Sequence, residues 1–69
     1  MYKWKIEIIL SSGRELTAYY KGDEISSGDV VNKIFTGNIN NLVGLSNKDD
    51  TKNVFVKLGE IAAIVVSVT

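Results

Sequence analysis

The chain has 69 residues, with eight Lys and Arg against eight Asp and Glu, and it contains no His, Cys or Pro. Without Cys and His there can be no disulfide, no thiolate nucleophile and none of the usual zinc sites, and the commonest general base is missing. A chain this short buries only about 60% of the surface that its unfolded form exposes, so we expect oligomerisation to supply stability that disulfides and metals cannot.

The first two predicted elements form a hairpin. Residues 2–10 alternate between apolar and polar positions, which predicts a half-buried strand. Its apolar face consists of Tyr2, Trp4, Ile6, Ile8 and Leu10. The turn Ser11-Ser12-Gly13 follows, where Gly13 can adopt positive φ without steric cost. Residues 15–21 alternate again, so the two segments predict an antiparallel pair of strands.

A change of periodicity after the hairpin predicts a short helix. Ser26 is the predicted N-cap, Asp29 stands where the helix dipole favours a negative charge, and Gly37 is the predicted end. The apolar stripe of this helix consists of Val30, Val31, Ile34 and Phe35. Because about ten residues do not hold a helix in isolation, we expect this one to lie against the sheet.

Three further strands are predicted over residues 38–45, 53–57 and 61–68, with a solvated loop between the first two and a break at Leu58-Gly59-Glu60. Eight Ile and eight Val in so short a chain favour β structure. The element order is therefore β-β-α-β-β-β. We expect a mainly β fold, a small five-stranded antiparallel SH3-like or Sm-like barrel with one short helix, in a single domain over residues 1–69.

The last predicted strand is apolar on both faces. Alternation places Ile61, Ala63, Val65 and Ser67 on one face and Ala62, Ile64, Val66 and Val68 on the other. A strand with one solvated face alternates apolar and polar residues, so this strand is expected to be covered on both sides. Either the helix or a second subunit supplies the second cover. We favour a second subunit and predict an oligomer interface at Ile61, Ala62, Ile64, Val66 and Val68.

Three segments resemble parts of Sm-like and SH3-like small β-barrel proteins. Residues 8–16 are similar to the opening hairpin of an Sm-like chain, and residues 40–45 are similar to the Asn-containing segment that leads into its third strand. Residues 54–64 resemble the closing pair of strands with a tight turn between them. The resemblance implies a small barrel that assembles into rings, and RNA binding is the activity that it would bring.

The chain departs from the Sm-like pattern where the family contacts RNA. Asn41 matches the Asn of the family's Asp-x-hydrophobic-hydrophobic-Asn motif, but no Asp precedes it at the expected place. Lys57-Leu58-Gly59 replaces the family's Arg-Gly pair, and the helix follows the second strand instead of preceding the first. A net charge of zero also argues against nucleic-acid binding. RNA binding is therefore the least favoured of the three functions that the sequence suggests.

The predicted hairpin carries the candidate binding residues. Tyr19 is expected to point away from the core, near Arg14 and Lys21 in the sequence, and an exposed Tyr beside a basic residue suits base stacking or a protein anchor. Cross-strand packing explains Tyr19 equally simply, and we favour it. The helix start at Ser26-Ser27-Gly28 could accept an anion through free N–H groups, although capping is the preferred explanation.

No catalytic site is predicted. The carboxylate pairs Asp23-Glu24 and Asp49-Asp50 fall in predicted turns without the spacing of a calcium loop, so no metal is expected. The glycines form no phosphate-binding series, and no cofactor is expected. We therefore expect the chain not to be an enzyme.

The residues together favour a non-catalytic cytoplasmic binding module that assembles into a homo-oligomer. The composition, rich in Asn, Lys and Ile, also resembles that of accessory proteins of phages and prophages of low-GC bacteria, which would imply a host protein as the target. The alternative function is sequestration of a small anionic nucleotide at a subunit boundary. No membrane association is expected, because the longest apolar run, residues 61–66, is far shorter than the roughly 20 residues of a membrane span.

Overall fold

The structure is a computed structural model that describes residues 2–69. Its elements in chain order are β1 (Tyr2–Leu10), β2 (Glu15–Gly22), α1 (Ser27–Thr36), β3 (Leu42–Ser46), β4 (Asn53–Lys57), a 3₁₀ turn (Leu58–Glu60) and β5 (Ile61–Val68). The strands form one antiparallel sheet with the spatial order β4-β3-β2-β1-β5. The predicted mainly β fold and its element order are confirmed.

Strand β1 lies between β2 and β5 and carries the centre of the core. Trp4, Ile6 and Ile8 are almost completely buried on its inner face, as the alternation predicts. The predicted orientation of the Tyr2 side chain lies outside the described part of the structure. In the turn after β1, Leu10 N–H donates to the Arg14 carbonyl at 2.8 Å, and Gly13 has the predicted positive φ, 92°.

Helix α1 covers the inner face of the sheet, where it contacts β3 and β5. Val30 and Ile34 are its buried residues. The Ser26 hydroxyl accepts a hydrogen bond from Asp29 N–H at 3.2 Å, so Ser26 is the N-cap, and Gly37 is the C-cap. The helix and both of its predicted ends are confirmed. The core as a whole contains Trp4, Ile6, Ile8, Ala18, Val30, Ile34, Val43, Leu45 and Val56.

Strand β3 begins four residues later than the sequence pattern predicts. Asn40 and Asn41 have φ values of 52° and 63°, in the left-handed region that Asn tolerates better than most residues. Hydrogen bonds in both directions between Ile39 and Leu42, at 2.9 and 3.1 Å, close a two-residue turn around them. The prediction of a strand from residue 38 is therefore wrong, because these asparagines reverse the chain.

The sheet is strongly curved where β4 joins β5. These strands lie at opposite edges, which a flat five-stranded sheet would hold about 19 Å apart. The 3₁₀ turn that connects them has three residues and advances only about 6 Å. The Leu58 N–H donates to the Asn41 carbonyl and the Ser11 N–H to the Glu60 carbonyl, both at 2.8 Å. Within residues 2–69, no backbone ladder joins β4 to β5, so closure into a barrel is not shown.

A bulge in β5 changes which of its side chains face the core. Ile9 pairs with Ala63 while Leu10 pairs with Ile61, so Ala62 has no partner in the ladder. Ile61 and Ile64 therefore both pack against the core, together with Val66. The predicted strict alternation, which put Ile61 on the face opposite Ile64, is wrong at this point. On the α1 side of β5, Ile61, Ile64 and Val66 are half-buried within the chain, but Val68 at the end of the strand is exposed, as is the other side.

Candidate functional site

The outer face of the sheet, opposite α1, carries Tyr19 among three lysines. Residues that pair across antiparallel strands share a face, and Lys5 pairs with Tyr19 while Lys3 pairs with Lys21. All four side chains lie on the face opposite the buried residues of β1 and β2. We call Lys3, Lys5, Tyr19 and Lys21 the Tyr19 site.

Contacts with β1 and β3 hold the Tyr19 site in place. The Lys3 Nζ lies 5.3 Å from the centroid of the Tyr19 ring, a cation–π contact worth about 0.5–1 kcal/mol at an exposed position. The same ammonium group donates a hydrogen bond to the Lys48 carbonyl. On the other side, the Ser46 hydroxyl donates to the Tyr19 carbonyl at 3.1 Å and ties β3 to β2. These contacts set the Lys3 ammonium group beside the Tyr19 ring and tie the Tyr19 backbone to β3.

An open cleft of about 380 Å³ lies beside the ring. It is lined by Tyr19, Tyr20, Lys21, Gly44, Leu45, Ser46, Asp50 and Asn53. The Asp50 carboxylate is the one acidic group among these lining residues, and its negative charge partly offsets the positive charge of the lysines. An aromatic surface with ammonium groups at its edge suits a flat ligand that carries negative charge.

Arg14 is not part of this site. It lies at the β1–β2 turn, five residues from Tyr19 along β2, a distance of about 17 Å in an extended strand. There it lines a separate cleft with Leu10, Ser11, Ser12 and Glu60. The structure thus brings together Tyr19 and Lys21 but not Arg14, and Lys3 and Lys5 supply the positive charge instead. Strand alternation already placed these two lysines on the outer face, but the pairing register was needed to set them beside Tyr19.

The helix start offers little to an anion. The hydroxyl of Ser26 already accepts the Asp29 N–H, and the Asp29 carboxylate lies in the first turn of α1. The Asp29 carboxylate thus already interacts favourably with the positive end of the helix dipole, and it would repel a second anion there. Ser27 and Gly28 are exposed first-turn residues beside it. The geometry at Ser26-Ser27-Gly28 is that of a capped helix, which agrees with capping as the explanation of these residues.

Asn41 lies in the turn before β3, with its backbone in the left-handed region. Its carbonyl accepts the Leu58 N–H. It also lines a shallow cleft of about 500 Å³ with residues 57–60. The conformation of the turn accounts for an Asn at this position without any ligand.

The five predicted interface residues of β5 fall into two groups. Ile61, Ile64 and Val66 are half-buried against the chain's own core, while Ala62 and Val68 are exposed. Val65, on the outer face, keeps 51% of its surface exposed, and Val68 keeps 62%. The exposed apolar surface of β5 therefore lies on its outer face and at its end.

The structure has a second exposed apolar surface, which the sequence pattern does not predict. Ile39, Leu42 and Phe55 are 74%, 39% and 64% exposed, and they line one cleft of about 280 Å³ together with Gly44. The Phe55 ring lies over Gly44, where a Cβ atom would come within 3.1 Å of it. Alternation in β4 predicts that Phe55 lies on the other face of the strand from Val54 and Val56. The sequence pattern does not predict the turn that brings Ile39 beside Phe55. We call Ile39, Leu42 and Phe55 the apolar patch.

A polar contact closes the other end of β2. The Tyr20 hydroxyl donates to Glu24 Oε1 at 2.8 Å. Burial, the hydrogen bond to Glu24 and the nearby carboxylates of Glu24 and Asp23 raise the pKa of Tyr20 to about 12. A Cβ at Gly22 would lie 2.3 Å from Glu24 Oε2 and 2.7 Å from the Tyr20 ring, so a larger residue here would force these two side chains to move. The contact fastens the segment before α1 to the sheet and has a structural role.

Comparison with known proteins identifies no relative: no protein-family model matches the chain, and neither a curated protein nor a solved structure is significantly similar to it.

None of the helices in the described part is long and apolar enough to cross a bilayer. Over the same residues, no group of three or more acidic, His or Cys side chains is placed to hold a metal ion.

Proposed function

We propose that this protein is a non-catalytic binding module, built as a small SH3-like or Sm-like barrel, that assembles with copies of itself through β5. The observation that carries the proposal is an edge strand without charge: Ile61–Val68 contains no charged side chain. Soluble proteins usually protect such edges with charges or Pro, since an unprotected edge pairs with other chains. The strong curvature at the turn Leu58–Glu60 supports the barrel architecture.

Chain size supports the same proposal. A 69-residue domain lies near the lower limit of independent stability, and burial of β5 against another copy would add to its small core. A target protein, such as the host protein that the phage resemblance implies, would meet the apolar patch, which is exposed and lies on the opposite edge of the sheet. Assembly and target binding would then use separate surfaces.

Sedimentation velocity with matched variants tests the role of β5 in assembly. Val68→Lys and Phe55→Lys each place a charge at an exposed apolar residue, with exposures of 62% and 64%, on opposite edge strands. We expect wild type to sediment as an oligomer that dissociates on dilution, Val68→Lys to shift to monomer, and Phe55→Lys to behave as wild type. A wild type that is monomeric at high micromolar concentration, or equal loss in both folded variants, would contradict the proposal.

The Tyr19 site favours a second candidate function, binding of a small anionic nucleotide. The supporting observation is the Lys3 Nζ 5.3 Å from the Tyr19 ring, with Lys5 and Lys21 on the same face. A base would stack on the ring, which is worth about 1–3 kcal/mol, while the lysines meet the phosphate. The third function considered, RNA binding, would use the same groups and would weaken steeply with salt.

A thermal-shift screen with cyclic nucleotides tests this second candidate. A ligand at about 100 times its Kd adds about 2.7 kcal/mol of stability, which raises Tm by roughly 10–20 °C for a domain of this size. Tyr19→Leu and Lys21→Met should remove the shift, and the exposed helix residue Lys33 provides the control Lys33→Met. Asp50→Asn should strengthen binding. No shift with any nucleotide would exclude this candidate, and a salt-sensitive shift with an oligonucleotide would favour RNA.

A further inference from the structure

The backbone of β5 leaves one set of hydrogen-bonding groups free. Thr69 N–H donates to the Lys3 carbonyl at 3.2 Å, which marks this pair as a hydrogen-bonded position of the β1–β5 ladder. Such positions recur at every second residue of an antiparallel pair, so Ala63, Val65 and Ser67 also bond to β1. The N–H and C=O groups of Ile64, Val66 and Val68 therefore point away from the sheet. Among the described residues, none of these groups has another hydrogen-bond partner.

The opposite edge of the sheet is better protected. The bonds from Asn47 N–H to the Lys52 carbonyl and from Leu58 N–H to the Asn41 carbonyl set the β3–β4 pattern, so Asn53, Phe55 and Lys57 point outward on β4. This edge has five residues and ends in a lysine, whereas β5 has eight residues and no charge. Lysine is a common protection of edge strands. The edge available for pairing is thus that of β5.

We propose that β5 pairs edge to edge and antiparallel with β5 of a second copy, about a two-fold axis that passes beside Val66. The inference rests on the proposed assembly and names its geometry. In this register Val66 faces Val66 of the second copy and Ile64 faces Val68, so every outward group of these three residues gains a partner. A two-fold axis at Val65 would instead set Val68 opposite the bulge at Ala62.

The side chains are compatible with this pairing. Ile64, Val66 and Val68 lie on the inner side of the sheet, so pairing joins the inner faces of both copies and keeps both helices on one side. Exposed Val68 gains Ile64 of the second copy as a neighbour, and no charged residues oppose each other. The outward residues of β4 lie on the outer side, so antiparallel pairing of β5 with β4 of another copy would set an inner face beside an outer face.

Cysteine cross-linking tests the register, because the natural chain contains no Cys. Val65 and Ser67 are both exposed, and the proposed pairing sets each opposite the other residue in the second copy. Directly opposed Cβ atoms are about 4.5–5.5 Å apart and diagonal ones about 7–8 Å, and only the closer pair suits a disulfide. We expect an oxidised mixture of Val65→Cys and Ser67→Cys chains to give several times more disulfide dimer than either variant alone.

The other outcomes distinguish a wrong pairing geometry from a failure of the proposed assembly. Efficient cross-linking of Val65→Cys alone would overturn the register. A disulfide between Phe55→Cys and Val68→Cys chains would overturn two-fold pairing in favour of a head-to-tail arrangement. An oligomer in sedimentation without any of these cross-links would overturn the edge pairing and leave assembly intact. A monomeric wild type would overturn both.

Discussion

Replacing Ile6 with Ala should remove much of the stability of this protein. Ile6 has no exposed surface and lies on β1 between Ala18 of β2 and Val66 of β5. The substitution deletes three carbon atoms from the centre of the core. Ile25 provides a control with identical chemistry, because it is 78% exposed in the segment before α1.

The expected loss follows from burial. Three buried carbons at about 0.8 kcal/mol each give about 2.4 kcal/mol, and the cavity left behind raises the cost to about 3–4 kcal/mol. A 69-residue domain has a total stability of about 3–10 kcal/mol. Ile6→Ala should therefore lower Tm by roughly 12–30 °C or unfold the chain, whereas Ile25→Ala should change stability by less than about 0.5 kcal/mol.

Urea unfolding followed by Trp fluorescence measures both variants. The single Trp, Trp4, is 4% exposed and reports on the same core. Protein concentration must be equal throughout, since assembly adds to apparent stability. Equal losses for Ile6→Ala and Ile25→Ala would refute a core centred on β1.

Two further predictions concern α1 and β2. Ser26→Ala should destabilise the protein by about 1 kcal/mol in the same assay, because it removes the N-cap hydrogen bond from Asp29 N–H. Ser27→Ala removes no such bond and should change stability little. Equal losses of stability in the two variants would refute the capping role of Ser26. The pKa of Tyr20 is raised to about 12, so between about pH 10 and pH 12 the unfolded chain holds fewer protons at this group than the folded chain. The stability that Tyr20 contributes is thus complete below pH 10 and lost as pH rises to 12. The difference in the free energy of unfolding between wild type and Tyr20→Phe should therefore narrow from pH 10 to pH 12. A difference that stays constant over this range would contradict the raised pKa of Tyr20.

Local patterns in the sequence were enough to predict most elements of the fold. Alternation in residues 2–10 and the Gly13 turn predict the first hairpin, because one buried face and one tight turn determine both strands. The N-cap at Ser26 and the apolar stripe from Val30 predict α1 in the same way. The start of β3 could not be predicted so simply, because Ile39 and Leu42 resemble strand residues until the φ values of the asparagines between them are known.

The candidate site depended more on contacts between strands. Tyr19 and its outward orientation follow from alternation, but its neighbours Lys3 and Lys5 come from β1 and follow from the register. Arg14, close to Tyr19 in sequence, is distant because an extended strand separates them. The bulge at Ala62 could not be predicted from the sequence pattern either. It arises because the pairing between β1 and β5 shifts by one residue between Ile9 and Leu10.

Residue-resolved amide hydrogen exchange across a dilution series tests the central claim, that β5 is the assembly surface, most directly. The N–H of Val66 points out of one edge of the sheet and that of Phe55 out of the other. Edge pairing of β5 predicts that exchange at Val66 slows as protein concentration rises, while exchange at Phe55 does not change. Exchange at Val66 that is fast and equal at every concentration would contradict assembly through β5.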